Sequence, residues 1–462
     1  MKKPISPLLG ALLSGLFATG AVQAADLLSV YRDAVSYDAQ FASARASRDA
    51  GLEKLPQGKV GLKPQINFTA DTKWNDFSSK LRTSPTISLG MLGPLIGPYV
   101  PQKTSTNYNT HAWSVTLAQP LFRWQNWSTY KQAELGAAAA ETQYTAAKQD
   151  LIERVTQAYF DVLLAQEDLI TAQSQKAAIE EQLAAAKRNF EVGTTTITDT
   201  HEAQARFDLI NASAIASESA LQVKRHALRM LIGKEADELK GLKTGVEIAP
   251  PQPDDINKWV ESAEKDNLNV QLSKSSLEIA NREIEKQRVG HYPTLDLVAS
   301  HGRTSSGSNQ MNMQFLGGSD TDATVIGLQL NIPIFSGGLT VSKDREAVAL
   351  REKAKADLEN VRRLAALGAR QSYLGVTSGL AQVKALEQAL LSSQSALDSN
   401  KLGYEVGVRV NIDVLNAQQQ LYSTRRDLAK ARLQTLTAQL KLKAATGSLT
   451  EQDLVAINGL LE

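Results

Sequence analysis

Phe190-Glu191-Val192-Gly193, followed by Ile197-Thr198-Asp199, is answered later in the chain by Tyr404-Glu405-Val406-Gly407, followed by Ile412-Asp413. The two glycines stand 214 positions apart, and the pairs Tyr159/Tyr373 and Gly233/Gly447 keep that interval. Further out, Pro120 in Ala118-Gln119-Pro120-Leu121-Phe122 answers Pro333 in Asn331-Ile332-Pro333-Ile334-Phe335 at an interval of 213, and Pro64 answers Pro293 at 229. So many landmarks in one order mark an internal duplication, with inserts of unequal length shifting the interval. Each copy reads helix, strand, loop, strand, very long helix, turn, helix. The spacing predicts a first repeat over 25–240, a linker over 241–255, a second repeat over 256–450 and a tail over 451–462.

The long helices follow from composition and period. Between Asn126 and Phe190 there is no proline and no glycine but Gly136, and Ala, Gln, Glu and Lys, all good helix formers, dominate. About 65 residues at 1.5 Å each make a rod of roughly 100 Å, longer than any compact domain needs. The second copy repeats this from about Val341 to Lys401 and again from Ile412 to Ala445. Leu151, Val155, Ala158, Val162, Ala165, Leu169 and Ala172 step by four and three, then Ile179, Leu183, Ala186 and Phe190 resume the series; Val376, Gly379, Val383, Leu386 and Leu390 do the same. That is the coiled-coil period. Seams rich in Ala and Gly, with further alanines on other faces, suit a wall of helices that each touch two neighbours. A simple antiparallel coiled-coil stalk accounts for the period but not for the strands.

Those strands alternate. Ile66, Phe68 and Ala70 interleave with Asn67, Thr69 and Asp71; Trp113, Val115 and Leu117 with Ala112, Ser114 and Thr116; Leu295, Leu297 and Ala299 with Asp296, Val298 and Ser300; Ile326, Leu328 and Leu330 with Val325, Gly327 and Gln329. Period-two runs of this length, placed near 65–77, 111–119, 294–304 and 322–332, suit transmembrane β-strands with lipid on one face. Four strands do not close a membrane barrel, and an open edge in hydrocarbon is costly. The arithmetic points to an oligomer that shares one barrel, with two, three or four copies possible; a periplasmic β-patch on helical arms is the bland alternative. The segments between the strand pairs, Ser78–Thr110 and His301–Thr321, carry glycine, proline, serine and asparagine and read as outward loops. Pro120 and Pro333 stand where strand gives way to helix.

Composition limits the chemistry. The 462 residues hold 50 Lys plus Arg against 49 Asp plus Glu, a net charge of +1, with no cysteine and 6% aromatics. Disulfides and thiolate metal sites are excluded, and a strongly basic nucleic-acid surface is not expected. Mean hydropathy is -0.24, and no internal run reaches the roughly 18 apolar residues of a spanning helix. Lys2 and Lys3, an apolar run from Leu8 to Val22 and the close Val22-Gln23-Ala24 make residues 1–24 a secretory signal, cut after Ala24. The five histidines show no ligand spacing, Ser336-Gly337-Gly338 lacks a phosphate-binding lysine motif, and no nucleophile–base pair can be named. No cofactor and no enzymatic activity is expected.

With the duplication, the glycine turns and the strand pairs in hand, the chain resembles the TolC-like outer-membrane efflux proteins over its whole mature length. The sharpest part is Leu402-Gly403-Tyr404-Glu405-Val406-Gly407-Val408-Arg409 with Asn411-Ile412-Asp413-Val414-Leu415-Asn416. The resemblance implies a mainly α fold with membrane β: a homotrimer whose twelve strands form an outer-membrane β-barrel, continued by a long periplasmic α-helical barrel. It implies a passive exit duct for drugs, amphiphiles or proteins, served by a periplasmic adaptor protein and an inner-membrane pump or exporter. A non-pore coiled-coil structural protein is the runner-up. The resemblance places the periplasmic tip, where adaptors dock, at Gly193 and Gly407. It places gate residues at Tyr404, Arg409 and Asp199, with Tyr404 and Arg409 expected to bond across to the other helix pair at Asp199 or its surroundings, ordinary helix-end capping and surface charge pairing being the alternative, and a constriction ring at Asp413. A second ring position that can be aspartate is here Asn416, which halves the carboxylate count at the mouth.

Overall fold

The computed structural model describes residues 24–83, 86–88, 94–96, 100–235, 238–243, 245–307 and 318–462. Apart from Ala24, the expected export signal lies outside these residues, as do parts of both outward loops. The first half contains α1 (Leu27–Tyr37), α2 (Ala39–Leu52), α3 (Lys54–Val60), β1 (Gln65–Thr83), β2 (Thr86–Ser88), β3 (Pro94–Ile96), β4 (Val100–Phe122), the 68-residue α4 (Trp124–Glu191) and α5 (Ile197–Ile232). The second contains α6 (Ile256–Asp266), α7 (Leu268–Arg288), a 3-10 turn (Val289–His291), β5 (Thr294–Ser306), β6 (Ser319–Asn331), the 67-residue α8 (Leu339–Glu405), α9 (Asn411–Ala445) and α10 (Glu451–Asn458).

The halves share details beyond element order. Each opens with a short helix broken at one residue: Asp38 with ψ 118 and Asn267 with ψ 132. The side chain at each break caps the next helix, since Asp38 Oδ1 accepts from the Phe41 amide at 2.6 Å and Asn267 Oδ1 from the Asn269 amide at 2.9 Å. Such caps satisfy amides that a new helix leaves unpaired. The repeated tyrosines are both anchored: the Tyr159 hydroxyl donates to the Ala25 and Lys240 carbonyls at 3.1 and 2.9 Å, and the Tyr373 hydroxyl to Asp254 at 2.6 Å.

Two compact units partition the chain, one of Met1–Ala46, Gln143–Gln271 and Val361–Glu462, the other of Ser47–Thr142 and Leu272–Asn360. The second holds an antiparallel sheet in the order β1-β4-β5-β6. Directly opposed residues share a face, and the register sorts the faces. Ile66 pairs with Leu117, Leu117 with Ala299 and Ala299 with Ile326; Phe68 pairs with Val115, and Leu297 with Leu328. These residues therefore line one face, where Phe68 is 67% exposed and Ile326 73%. The opposite face carries Asn67, Thr69, Asp71, Ser114 and Gln329, with a Thr69–Ser114 hydroxyl bond of 2.8 Å and an Asp71–Lys73 ion pair of 2.8 Å.

β1 and β4 run well past the alternating stretches, paired from Gln65–Ala118 to Thr83–Val100. Pro120 does not end its strand. It stays in register with Asp296, a bulge follows between Pro120 and Phe122, and α4 starts at Trp124. A bulge tolerates a residue without a donor. Just beyond it, Arg123 grips the nearly buried Asp296 through two bonds, Nε to Oδ1 at 2.7 Å and Nη2 to Oδ2 at 2.5 Å. Pro333 lies past the end of β6 and ahead of α8.

In the first unit the core joins α1, α4, α5, α9 and α10. Leu27, Val30 and Ala34 pack with Leu151, Val155, Tyr159, Leu228, Leu436 and Leu454, all 3% exposed or less. Each fully buried aliphatic side chain contributes about 1.5–3 kcal/mol. Further along, Leu183 and Ala186 of α4 bury against Ala203 of α5, and Val383 of α8 against Leu428 and Ala431 of α9, so the step-of-three-and-four seams face partner helices.

Candidate gate and constriction

The turn from α4 to α5 and the turn from α8 to α9 are built alike. Gly193 (φ 78) donates its amide to the Phe190 carbonyl at 3.0 Å, and Gly407 (φ 79) donates to Tyr404 at 3.1 Å. One residue later the Thr194 and Val408 amides reach back to Asn189 and Gly403, both at 2.9 Å. A side chain at either glycine would meet nothing within 4 Å. The left-handed backbone conformation, not crowding, is what asks for glycine there.

The helices that follow start differently. Thr196 caps α5 with a reciprocal box: its hydroxyl accepts from the Asp199 amide at 3.3 Å, while Asp199 Oδ2 accepts from the Thr196 amide and hydroxyl, both at 3.0 Å. Threonine with an acid three residues on is a sequence signal for this cap. Val410 offers α9 no side-chain cap. Asp413 stands in its first turn, favoured there by the helix dipole, and its carboxylate lies 3.6 Å from the Arg409 guanidinium.

Within the chain, then, Asp199 is engaged by its own helix cap, and Arg409 sits beside Asp413. Tyr404 meets the other helix pair through Asn189, whose Nδ2 donates to the Tyr404 hydroxyl at 3.4 Å. Asn416 accepts from Arg206 Nη2 at 3.0 Å, and Gln419 accepts from Arg206 Nη1 at 2.7 Å. Nearby, Gln182 of α4 donates to the side-chain oxygen of the buried Asn411. Asn189, Arg206 and Gln182 had no spacing signal to single them out, because their partners lie over 200 residues away.

Up the same unit, α4, α5 and α9 line a cleft of about 400 Å³ that includes Asp168, Arg206, Tyr422 and Arg426. Burial pushes the Asp168 carboxyl above its ordinary value, only partly offset by Arg426 and Lys430. Among the described residues no group of His, Asp and Glu could hold a metal ion, and no helix is long and apolar enough to cross a membrane.

The model of the family described as outer membrane efflux protein matches residues 30–234 and 259–448. The outer membrane protein TolC of Vibrio cholerae is 32% identical over 462 residues, covering 100% of this chain and 99% of the relative. The proteases secretion protein PrtF of Dickeya chrysanthemi is 29% identical, over 95% of this chain and 91% of its own. Among solved structures, the Campylobacter jejuni CmeC outer membrane channel superposes with a TM-score of 0.73 over 100% of this chain and 98% of that one, at 15% identity. The long helices, the four-stranded sheet and these likenesses together make this chain a member of the outer membrane efflux protein family.

Proposed function

We propose that three copies of this chain close one barrel and form a passive exit duct, gated at the α4–α5 and α8–α9 turns. As a family member the protein is an outer-membrane duct of efflux or secretion with a long periplasmic helical portion, and it is not an enzyme. The observation that carries the shared barrel is the sheet. It has an apolar face fit for lipid and two edge strands, β1 and β6, which in hydrocarbon must find partners. Its apolar zone also slants: the row containing Phe68 on β1 ends at Thr324 on β6, whereas the apolar column of β6 is Ile326, Leu328 and Leu330. A slant of this kind suits strands tilted in a closed barrel.

The efflux description of the family and the secretion name of PrtF support a periplasmic adaptor and an inner-membrane pump or exporter as partners, docking at the tip that bears Gly193 and Gly407. Tyr404 and Arg409 are read as gate residues, with Asn189 the partner that Tyr404 reaches. Asp199 acts through the α5 cap and becomes a gate acceptor only where its second oxygen is offered to another residue. Asp413 is read as the ring at the constriction, its charge softened by Arg409. The repeats over 25–240 and 256–450 then supply the two hairpins of each tip.

The test is current through planar bilayers. Purified native protein should migrate as a heat-resistant trimer and pass a small, steady current. Tyr404→Phe combined with Arg409→Ser should raise single-channel conductance several-fold. Native-like conductance in that variant would remove the gate assignment, and a native protein that carries no current would remove the duct.

A further inference from the structure

Arg206 lies seven residues beyond Asp199, about two helical turns up α5. Its guanidinium spans two acceptors of another helix, Asn416 Oδ1 and Gln419 Oε1, at 3.0 and 2.7 Å. Those acceptors stand three residues apart and so share one face of α9. Among the described residues no carboxylate pairs with Arg206. A full positive charge is thus held by two neutral amides, and only the planar fork of arginine matches both at once. Immediately above, Ile210 of α5 and Leu415 of α9 pack with Ile179 of α4, so the fork sits where α5 and α9 already touch.

We propose that Arg206 is a positioning residue of the constriction: it clasps α9 to α5 and sets how closely the α9 segment bearing Asp413 and Asn416 is held. This rests on reading the two turns as a gate. Asn416 is then more than a missing carboxylate. As a neutral acceptor it keeps the clasp releasable, whereas an aspartate there would form a charge-assisted bidentate pair with Arg206 and hold α9 harder.

The two roles of position 416 predict different currents. In purified protein, R206A should raise closed-state conductance about tenfold, the effect of losing roughly 1.4 kcal/mol, near the lower end for hydrogen bonding to a charged group. R206K, which keeps the charge and loses the fork, should fall between R206A and native. N416D should lower conductance and leave the reversal potential in a salt gradient near native, because Arg206 neutralises the new charge. The same N416D change made together with R206A should shift the reversal potential toward cations. Heat-resistant oligomer on a gel confirms assembly, and R206K serves if R206A does not assemble. A conducting native protein in which both R206A and R206K are silent overturns the clasp alone. So does an N416D shift in reversal potential that is equal with and without Arg206. A native protein without current removes the gate reading and the clasp with it.

Discussion

The buried Asp38 and its half-buried partner Arg154 illustrate what a single residue does for this molecule. Arg154 donates to both Asp38 oxygens at 3.0 and 3.1 Å, and the Phe41 amide adds a third bond at 2.6 Å. The Arg154 bonds hold the Asp38 carboxyl below its ordinary value of 3.8, against the opposing effect of burial. A depressed folded-state pKa contributes stability that is present above the unfolded value and lost as pH falls through the folded one. Asp38→Asn should therefore cost about 1.5 kcal/mol at pH 7, since the half-buried Arg154 loses a charged acceptor but keeps Asp150 at 2.7 Å, and the gap to native should narrow below pH 4. Asp168 carries the opposite sign. Burial raises its pKa, so its folding penalty is present above the raised folded value and absent below 3.8. Asp168→Asn should be neutral or stabilising at pH 7, with the difference vanishing in acid. Thermal unfolding by circular dichroism at pH 7 and pH 3 reads both; a destabilised Asp168→Asn protein at pH 7 would contradict the burial argument. Neither carboxylate was legible in the sequence, because Asp38 and Arg154, for one, stand 116 positions apart and meet only when the chain folds. The α5 cap is different: Thr196-Ile197-Thr198-Asp199 carries its own local pattern, and helix-end capping, the alternative to a gate role for Asp199, is the contact the structure contains.

At the scale of elements, period and composition carried far. The three-and-four steps located the seams of α4 and α8, and alternation located four strands, because burial on one side imposes those periods locally. Strand ends were less legible. Pro120 remains in β4 because the bulge beside it absorbs the missing donor, and a bulge has no fixed sequence mark. The α8–α9 seam offers a test of how closely these helices are held. A Cβ at Gly379 would run into Thr435 Oγ1 and lie 3.3 Å from both Thr435 Cβ and Cγ2. Thr435 is 1% exposed and its hydroxyl donates to the Ala431 carbonyl at 2.7 Å, so moving Oγ1 aside breaks that buried bond. Glycine to alanine inside a helix ordinarily gains about 1 kcal/mol. Here Gly379→Ala should instead destabilise, by about 1–3 kcal/mol from overpacking. Adding Thr435→Ala should recover most of the loss, a non-additivity expected only of residues in contact. Equal effects of Gly379→Ala with and without Thr435 would show that the helices part freely.

For the whole molecule the decisive constraint is the solvent on each face of the sheet. Leu328 and Gln329 are neighbours in β6, and the register sends them to opposite faces, Leu328 beside Leu297 and Gln329 beside Asp296. The first face is the one that gathers Ile66, Phe68, Leu117 and Ile326; the second is polar. If the first meets lipid and the second the water-filled interior, the same substitution has two outcomes one residue apart. Lysine on the lipid face of a membrane barrel costs about 2–4 kcal/mol near the midplane, repeated in every copy, while lumen positions accept charge. Leu328→Lys should therefore deplete heat-resistant oligomer in outer-membrane fractions several-fold. Gln329→Lys should assemble at native levels and shift the reversal potential away from cations. A soluble helical stalk carrying an exposed sheet predicts the reverse order, since lysine at 65%-exposed Leu328 would then only improve solubility. Membrane-fraction levels of the two variants thus weigh a shared lipid-facing barrel against a pore-free protein, in a chain whose mean hydropathy conceals the membrane because alternation averages apolar and polar faces to nothing.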